Sequence, residues 1–176
     1  DGIVNFAVGA ALLGFKSVVD IISADFLYRA MDAICNTAAK ANFARPDLPI
    51  TLVIRAEFLT GGPTTGQRPE AMFTHVPGLN VVIPSTPRDA YGLMVTALKT
   101  PGVTLFLEDR EIADAGPWLE GDLDTIDPIP FGTIGLRWLP MTTRARKVPL
   151  VTVLTYGVMR QRVEAYTSTS PSRTYS

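Results

Sequence analysis

The chain is poor in the groups on which much protein chemistry depends: its 176 residues include a single cysteine, Cys35, and a single histidine, His75. A lone thiol forms no internal disulfide and has no second thiol with which to build a zinc motif, so the cysteine usage suits a reducing compartment. Any mechanism that needs an imidazole must use His75 or borrow one from another chain. Charge is scarce as well. Charged residues make up 19% of the sequence and the formal net charge is −1, so no basic field draws phosphate backbones and nucleic-acid binding is set aside. Long apolar runs are missing too: Lys16 and Asp20 interrupt the first candidate and Arg55 another, so none reaches the roughly 20 residues of a membrane-spanning helix. The amino end lacks the positive charge that opens a signal peptide. It has no initiator methionine, and Asp1-Gly2-Ile3-Val4 enters a helical pattern directly, so we expect a piece of a longer chain.

What is plentiful is apolar. Hydrophobic residues make up 47% of the sequence, high for a free-standing soluble monomer, which points to buried subunit surface. The length suits one well-cored domain with a remainder, since domains commonly run to roughly 100–150 residues. Residues 2–14 are small and apolar and read as a fully buried helix ended by Gly14. Residues 17–22 are a β-branched run, the composition of a strand covered on both faces. In 25–43, Phe26, Leu27, Ala30, Met31, Ile34 and Ala38 fall at helical spacing, which predicts one long amphipathic helix. Pro46 and Pro49 close it, and 50–55 is the clearest buried strand.

A loop rich in Gly, Thr and Pro follows over 57–69, then a short helix over 70–76 and a strand over 80–84. After Ser85-Thr86-Pro87, a capping and first-turn sequence, 88–99 reads as a helix and 103–108 as a strand. Alternating strands and helices predict an α/β fold: an open, mostly parallel sheet with helices on both faces. In such sheets ligands bind beyond the carboxyl ends of the strands, where 23–26, 57–67 and 85–87 would lie. Residues 109–147 lose the alternation and read as an irregular connection. Residues 148–157 resume as a strand and 158–165 as a helix, and 167–176 is a Ser/Thr-rich stretch without periodicity, expected to be disordered.

Chemistry is sparse in the residues themselves. The loop Thr60-Gly61-Gly62-Pro63-Thr64-Thr65-Gly66-Gln67 follows a strand but has neither GxGxxG nor GxxxxGK[ST] spacing, so it is either a ligand loop of another kind or a flexible connection. His75, just ahead of a strand, reads as a structural hydrogen-bonder. Asp20, Asp25, Glu108 and Asp109 stand at strand ends, where catalytic acids occur but where caps and solvated turns also want an acid; with no partner base, capping is the better reading. Phe6, Phe26 and Tyr28 at helical spacing read as core.

Three blocks nevertheless carry a specific likeness: residues 1–14, Ala24-Asp25-Phe26-Leu27-Tyr28-Arg29-Ala30-Met31-Asp32, and His75-Val76-Pro77-Gly78-Leu79-Asn80-Val81-Val82-Ile83-Pro84-Ser85-Thr86-Pro87. In order and with similar spacing over about residues 1–165, the chain resembles the beta subunits of the decarboxylase components of 2-oxoacid dehydrogenases, the pyruvate, branched-chain 2-oxoacid and acetoin types. The resemblance implies a transketolase-like pyrimidine-binding domain over 1–147 with its amino-terminal part missing. It also implies that 148–166 is the first strand and helix of an otherwise absent carboxyl-terminal domain.

The implied assembly is a heterotetramer with alpha subunits and a second beta subunit, docked on a lipoyl acyltransferase core, in a bacterial cytoplasm or a mitochondrial matrix. Thiamine diphosphate would lie between subunits, its diphosphate held by alpha through magnesium and its aminopyrimidine by beta, where a glutamate favours the imino tautomer. Phe26 matches the aromatic that packs on the pyrimidine and Ile22 the neighbouring position that lines it, although Ile22 also reads as core. Leu52, Ala97, Leu98, Thr100 and Gly102 match positions that bind structural potassium in many members, but the usual acid and asparagine near Thr100 and Gly102 are absent here.

Other departures matter more. The family glutamate would stand just before Asp1, and the family's Gln-His-Ser-Gln segment is replaced by Gln67-Arg68-Pro69-Glu70, without the histidine. No catalytic residue is therefore assigned, and we expect no catalysis from the chain alone. Two alternatives stay open: a non-catalytic assembly or regulatory subunit that keeps the fold, and an unrelated small-ligand-binding α/β domain.

Overall fold

The computed structural model describes residues 1–59, 62–115, 123–133 and 154–169. Strands β1 (Ser17–Ser23), β2 (Thr51–Phe58), β3 (Leu79–Val82) and β4 (Gly102–Asp109) form a four-stranded parallel sheet in the order β1-β2-β4-β3. Side chains alternate across a strand, and the sequence uses that alternation to serve two cores. Leu52, Ile54, Ala56 and Phe58 of β2, with Val103, Leu105 and Leu107 of β4, pack on one face against helix α1 (Gly2–Leu12) and the helical segment that follows β1. Val53 and Phe106 point to the other face, where Leu93, Met94, Ala97 and Leu98 of α4 (Pro87–Lys99) cover them. Helices on both faces of a parallel sheet are thus what the apolar runs specify.

Local chemistry fixes where the elements start. The Thr86 hydroxyl accepts the Asp89 N–H at 3.0 Å with Pro87 in the first turn of α4, a cap that contributes about 1 kcal/mol. The Asn42 side chain grips Ile50 from both sides, accepting its N–H at 2.7 Å and donating to its carbonyl at 3.2 Å, so β2 begins in a set position. Remaining helices are α2 (Ala41–Ala44), α3 (Glu70–Phe73), α5 (Arg110–Ala115) and α6 (Val158–Thr169).

Several expectations are corrected. Helix α1 buries only Val4, Ala7, Val8 and Ala11, while Ile3 and Phe6 are 53% and 79% exposed, because only one side of the helix has neighbours among the described residues. A groove of about 250 Å³ lined by Ile3, Phe6, Ala10, Val18 and Asp20 runs between α1 and β1 on the open side. The single helix expected over 25–43 is instead a 3₁₀ stretch (Ala24–Ala30), a π-helical stretch (Ala33–Ala38) and α2; the predicted core positions Leu27, Ala30, Ile34 and Ala38 are buried as expected, but Phe26 is not. The wide turn is marked by the Ala39 N–H donating to the Ile34 carbonyl, five residues back.

Within the expected irregular connection, α5 and a 3₁₀ turn at Leu123–Thr125 are ordered elements. The strand expected over 148–157 lies mostly outside the described residues, and 154–156 are not in a strand. Helix α6 runs on to Thr169, beyond the expected end and into the stretch read as disordered; 170–176 lie outside the described residues.

Candidate functional site at the carboxyl edge of the sheet

The parallel strands bring their carboxyl ends to one edge, and there β1 departs from regular geometry. Asp20 pairs with Arg55 and Ser23 with Glu57, so three steps along β1 match two along β2: a bulge with one extra residue. Ile22 sits in that bulge with φ of 70°, the one non-glycine with positive φ among the described residues. Its N–H donates to Asp20 Oδ1 at 2.8 Å. Immediately after, the Ser23 hydroxyl accepts the Asp25 N–H at 3.3 Å and starts the 3₁₀ turn that carries Phe26. Ile22 and Phe26 are 65% and 53% exposed, so the core reading of both fails: one large apolar side chain near the end of β1 and another in the turn that follows are open.

Asp25 ties the next loop to this turn. Its carboxylate accepts the Gly66 N–H at 3.0 Å, the Gln67 N–H at 3.2 Å and the Ser23 hydroxyl at 3.0 Å. Burial pushes its carboxyl up, but these donors outweigh burial and hold it below the ordinary carboxylate range. Gly66 is needed at this contact, with φ of 101° and a Cβ position 3.0 Å from the Leu59 carbonyl oxygen. Thr60 and Gly61 of the glycine-containing loop lie outside the described residues.

Arg55, for which the sequence reading assigned no role, is the hub of the edge. Its Nη1 meets Asp20 Oδ2 at 2.7 Å, its Nη2 meets Glu57 Oε1 at 2.8 Å, and its Nε donates to Glu108 Oε2. Burial pushes the Glu108 carboxyl up and the pull of Arg55 does not fully offset it, with Glu57 and Asp20 adding like charge. The signal was in the sequence: one arginine and several acids at the ends of apolar strand runs, aligned once Asp20 pairs with Arg55 and Glu57 with Glu108. Only the strand order reveals the alignment.

The segment Gln67-Arg68-Pro69-Glu70 is engaged in a second cluster. Arg68 lies 4.2 Å over the Phe58 ring and pairs with Asp109, whose other oxygen accepts the Val158 N–H at 2.9 Å. The Tyr156 hydroxyl donates to Glu70 Oε1 at 3.2 Å, and Glu70 Oε2 is buried without a partner among the described residues. Of these acids, Asp109 serves a helix start through the Val158 amide, whereas Asp20 accepts the Ile22 amide inside β1, Asp25 anchors a loop and Glu108 an arginine. His75 lies exposed in the turn ahead of β3, at the amino edge, and among the described residues no side-chain hydrogen bond reaches it. Leu52, Ala97, Leu98, Thr100 and Gly102 also gather at the amino edge, around the end of α4 and the starts of β2 and β4. None of the five brings a carboxylate, and among the described residues no cluster of His, Cys, Asp or Glu has metal-site geometry.

The family described as "Transketolase, pyrimidine binding domain" matches residues 1–114, the stretch that contains the whole sheet and the bulge at Ile22. The chain belongs to that family. A 2-oxoisovalerate dehydrogenase subunit beta of Pseudomonas aeruginosa is 34% identical over 170 residues, covering 90% of this chain and 48% of that protein. The beta subunit of an acetoin:2,6-dichlorophenolindophenol oxidoreductase of Cupriavidus necator is 32% identical over 166 residues, covering 90% of this chain and 45% of its own. A pyruvate dehydrogenase E1 component subunit beta of Rickettsia felis is 30% identical over 161 residues, covering 89% of this chain and 46% of that one. The chain spans about half the length of these relatives. As a pyrimidine-binding-domain family member it is not an unrelated small-ligand domain, and the expected α/β parallel-sheet fold is borne out. No helix among the described residues is long and apolar enough to cross a membrane.

Proposed function

We propose that this chain forms the aminopyrimidine-facing side of a thiamine diphosphate site in the beta subunit of a 2-oxoacid dehydrogenase. One observation carries the reading: Ile22, near the carboxyl end of β1, and Phe26, in the 3₁₀ turn that follows it, are both exposed at the carboxyl edge, where parallel sheets bind ligands. An isoleucine and an aromatic ring left open to water fit one face of a flat heteroaromatic ring, orienting it without competing for its nitrogens. Thiamine diphosphate, when bound, supplies the electron sink for decarboxylating a 2-oxoacid. The chain's own residues would do the rest of this side's work: Phe26 and Ile22 orient the ring and exclude water from its face, and Asp25 holds the 62–67 loop beside them.

In this reading an alpha subunit completes the site and holds the diphosphate through magnesium. A second beta subunit and a lipoyl acyltransferase core complete the assembly, in a bacterial cytoplasm or a mitochondrial matrix. The activating glutamate would precede Asp1, and a potassium ion at the amino-edge positions would find only backbone oxygens and the Thr100 hydroxyl.

A second reading, a non-catalytic assembly or regulatory subunit, is favoured by one observation. Where the resemblance expects a histidine facing the site, Arg68 and Glu70 are engaged with Asp109 and Tyr156. The test is calorimetric titration of thiamine diphosphate and magnesium into this chain mixed with a compatible alpha subunit, for the wild type and Phe26→Ala. Loss of an aromatic packing contact predicts a Kd about tenfold weaker in the variant, from roughly 1–1.5 kcal/mol. Absence of binding by a folded, alpha-associated wild type would sink the cofactor reading and favour the second one.

A further inference from the structure

A β-branched residue with φ near +70° is held against its own preference, and such a conformation persists only where the surroundings over-determine it. At Ile22 the restraint is visible. Asp20 Oδ1 accepts the Ile22 N–H at 2.8 Å, and Asp20 Oδ2 accepts Arg55 Nη1 at 2.7 Å. The Asp20 side chain is 49% exposed, so on its own it would turn freely into water. Arg55 stops that, because its guanidinium is itself fixed on two further sides by Glu57 and Glu108 from β2 and β4. The chain of contacts runs from the interior of the sheet edge, through one carboxylate, to the one strained amide of the bulge.

We infer that Arg55 is a positioning residue: through Asp20 it locks Ile22 in the left-handed conformation that sets the direction of its exposed side chain at the carboxyl edge. For what the Ile22–Phe26 pair faces, the inference rests on the function proposed above; the lock itself does not. If Asp20 lets go, Ile22 relaxes toward the extended region, the bulge loosens and the direction of its Cα–Cβ bond changes. The apolar half-slot is then lost without any change to a residue that touches ligand.

Amide hydrogen exchange of the whole chain tests the lock directly, comparing the wild type with Asp20→Ala, Arg55→Lys and Arg55→Met. The Ile22 amide is expected to exchange about tenfold faster or more in Asp20→Ala and Arg55→Met, with the Val53 and Leu105 amides of the sheet interior changed less than about twofold. Arg55→Lys keeps the charge but not the three-way fork, and serves if Arg55→Met does not fold; it is expected to give an intermediate acceleration. Unchanged Ile22 exchange in a folded Arg55 variant, or a uniform loss of protection across the sheet, overturns the inference.

A second measurement, thiamine diphosphate titration in the presence of alpha subunit and magnesium, uses glycine's ease at positive φ. Asp20→Ala is expected to weaken binding about tenfold when position 22 is isoleucine and by less than about twofold in an Ile22→Gly background. Equal weakening in both backgrounds means Asp20 acts otherwise than through Ile22. A wild type that binds no thiamine diphosphate rejects the functional reading alone, and the exchange data still decide the lock.

Discussion

Asp109 is where the sheet holds the carboxyl-terminal helix, and removing its carboxylate gives a quantitative forecast. The residue ends β4 with 3% of its surface exposed; one oxygen accepts the Val158 N–H at the start of α6 at 2.9 Å and the other pairs with Arg68. Gly157 is fitted to it, since a Cβ there would stand 2.3 Å from Asp109 Oδ2. A hydrogen bond to a charged, buried acceptor contributes about 1.5–3 kcal/mol. The Arg68 side chain is 38% exposed, so its ion pair is discounted to about 0.2–1 kcal/mol. Asp109→Ala should therefore cost about 2–4 kcal/mol, which at an m of about 2 kcal/mol/M lowers the urea midpoint by about 1–2 M. Asp109→Asn keeps an acceptor for Val158 and should lose about half as much.

Further ties of α6, among them Arg160 to Asp89, Gln161 to the Ser85 carbonyl and Arg162 to Glu111, are part-buried or exposed. Exchange protection over 158–169 is thus expected to fall before that of β2 and β4. A midpoint shift under about 0.5 M for Asp109→Ala would refute the reasoning. Equal damage from Asn and Ala would refute the view that the Val158 amide is the main beneficiary.

Acidity separates two carboxylates at the same edge. Asp25 is held below its ordinary value of 3.8, so its contribution is present above that pH and lost as pH falls through the lower folded value; urea midpoints of the wild type should converge on those of Asp25→Asn below about pH 3.8. Glu108 is pushed above 4.5 by burial, so its contribution is present below that pH and lost as pH rises through the folded value. The wild type should therefore lose ground to Glu108→Gln between pH 4.5 and neutrality, and parallel curves would refute the assignment. Gly78→Ala should cost more than about 2 kcal/mol in urea unfolding, because φ is 86° and a Cβ would sit 2.2 Å from the Ala39 carbonyl oxygen; a loss under about 0.5 kcal/mol would show that the backbone gives way there.

The β-branched and aromatic runs around Val18–Val19, Val53–Ile54 and Val103–Phe106 determined the strands, and Thr86-Pro87 determined the start of α4, since propensity and capping act within a few residues. The likeness of the blocks at 1–14, 24–32 and 75–87 was enough to name the family. Local pattern failed where packing overrides it. Residues 25–43 carry one amphipathic period but fold as 3₁₀, π and α turns, and Phe26, in phase with Leu27 and Ala30, ends up in the open.

The site itself belongs to the tertiary structure. Asp20, Arg55 and Glu108 are far apart in the chain and meet only because β1, β2 and β4 are neighbours with their carboxyl ends together. An isoleucine with φ of 70° has no local cause in sequence, since every local preference of that residue opposes it. It exists because contacts across three strands outweigh the strain, and such long-range compensation is written in the register of the sheet, not in the order of the residues.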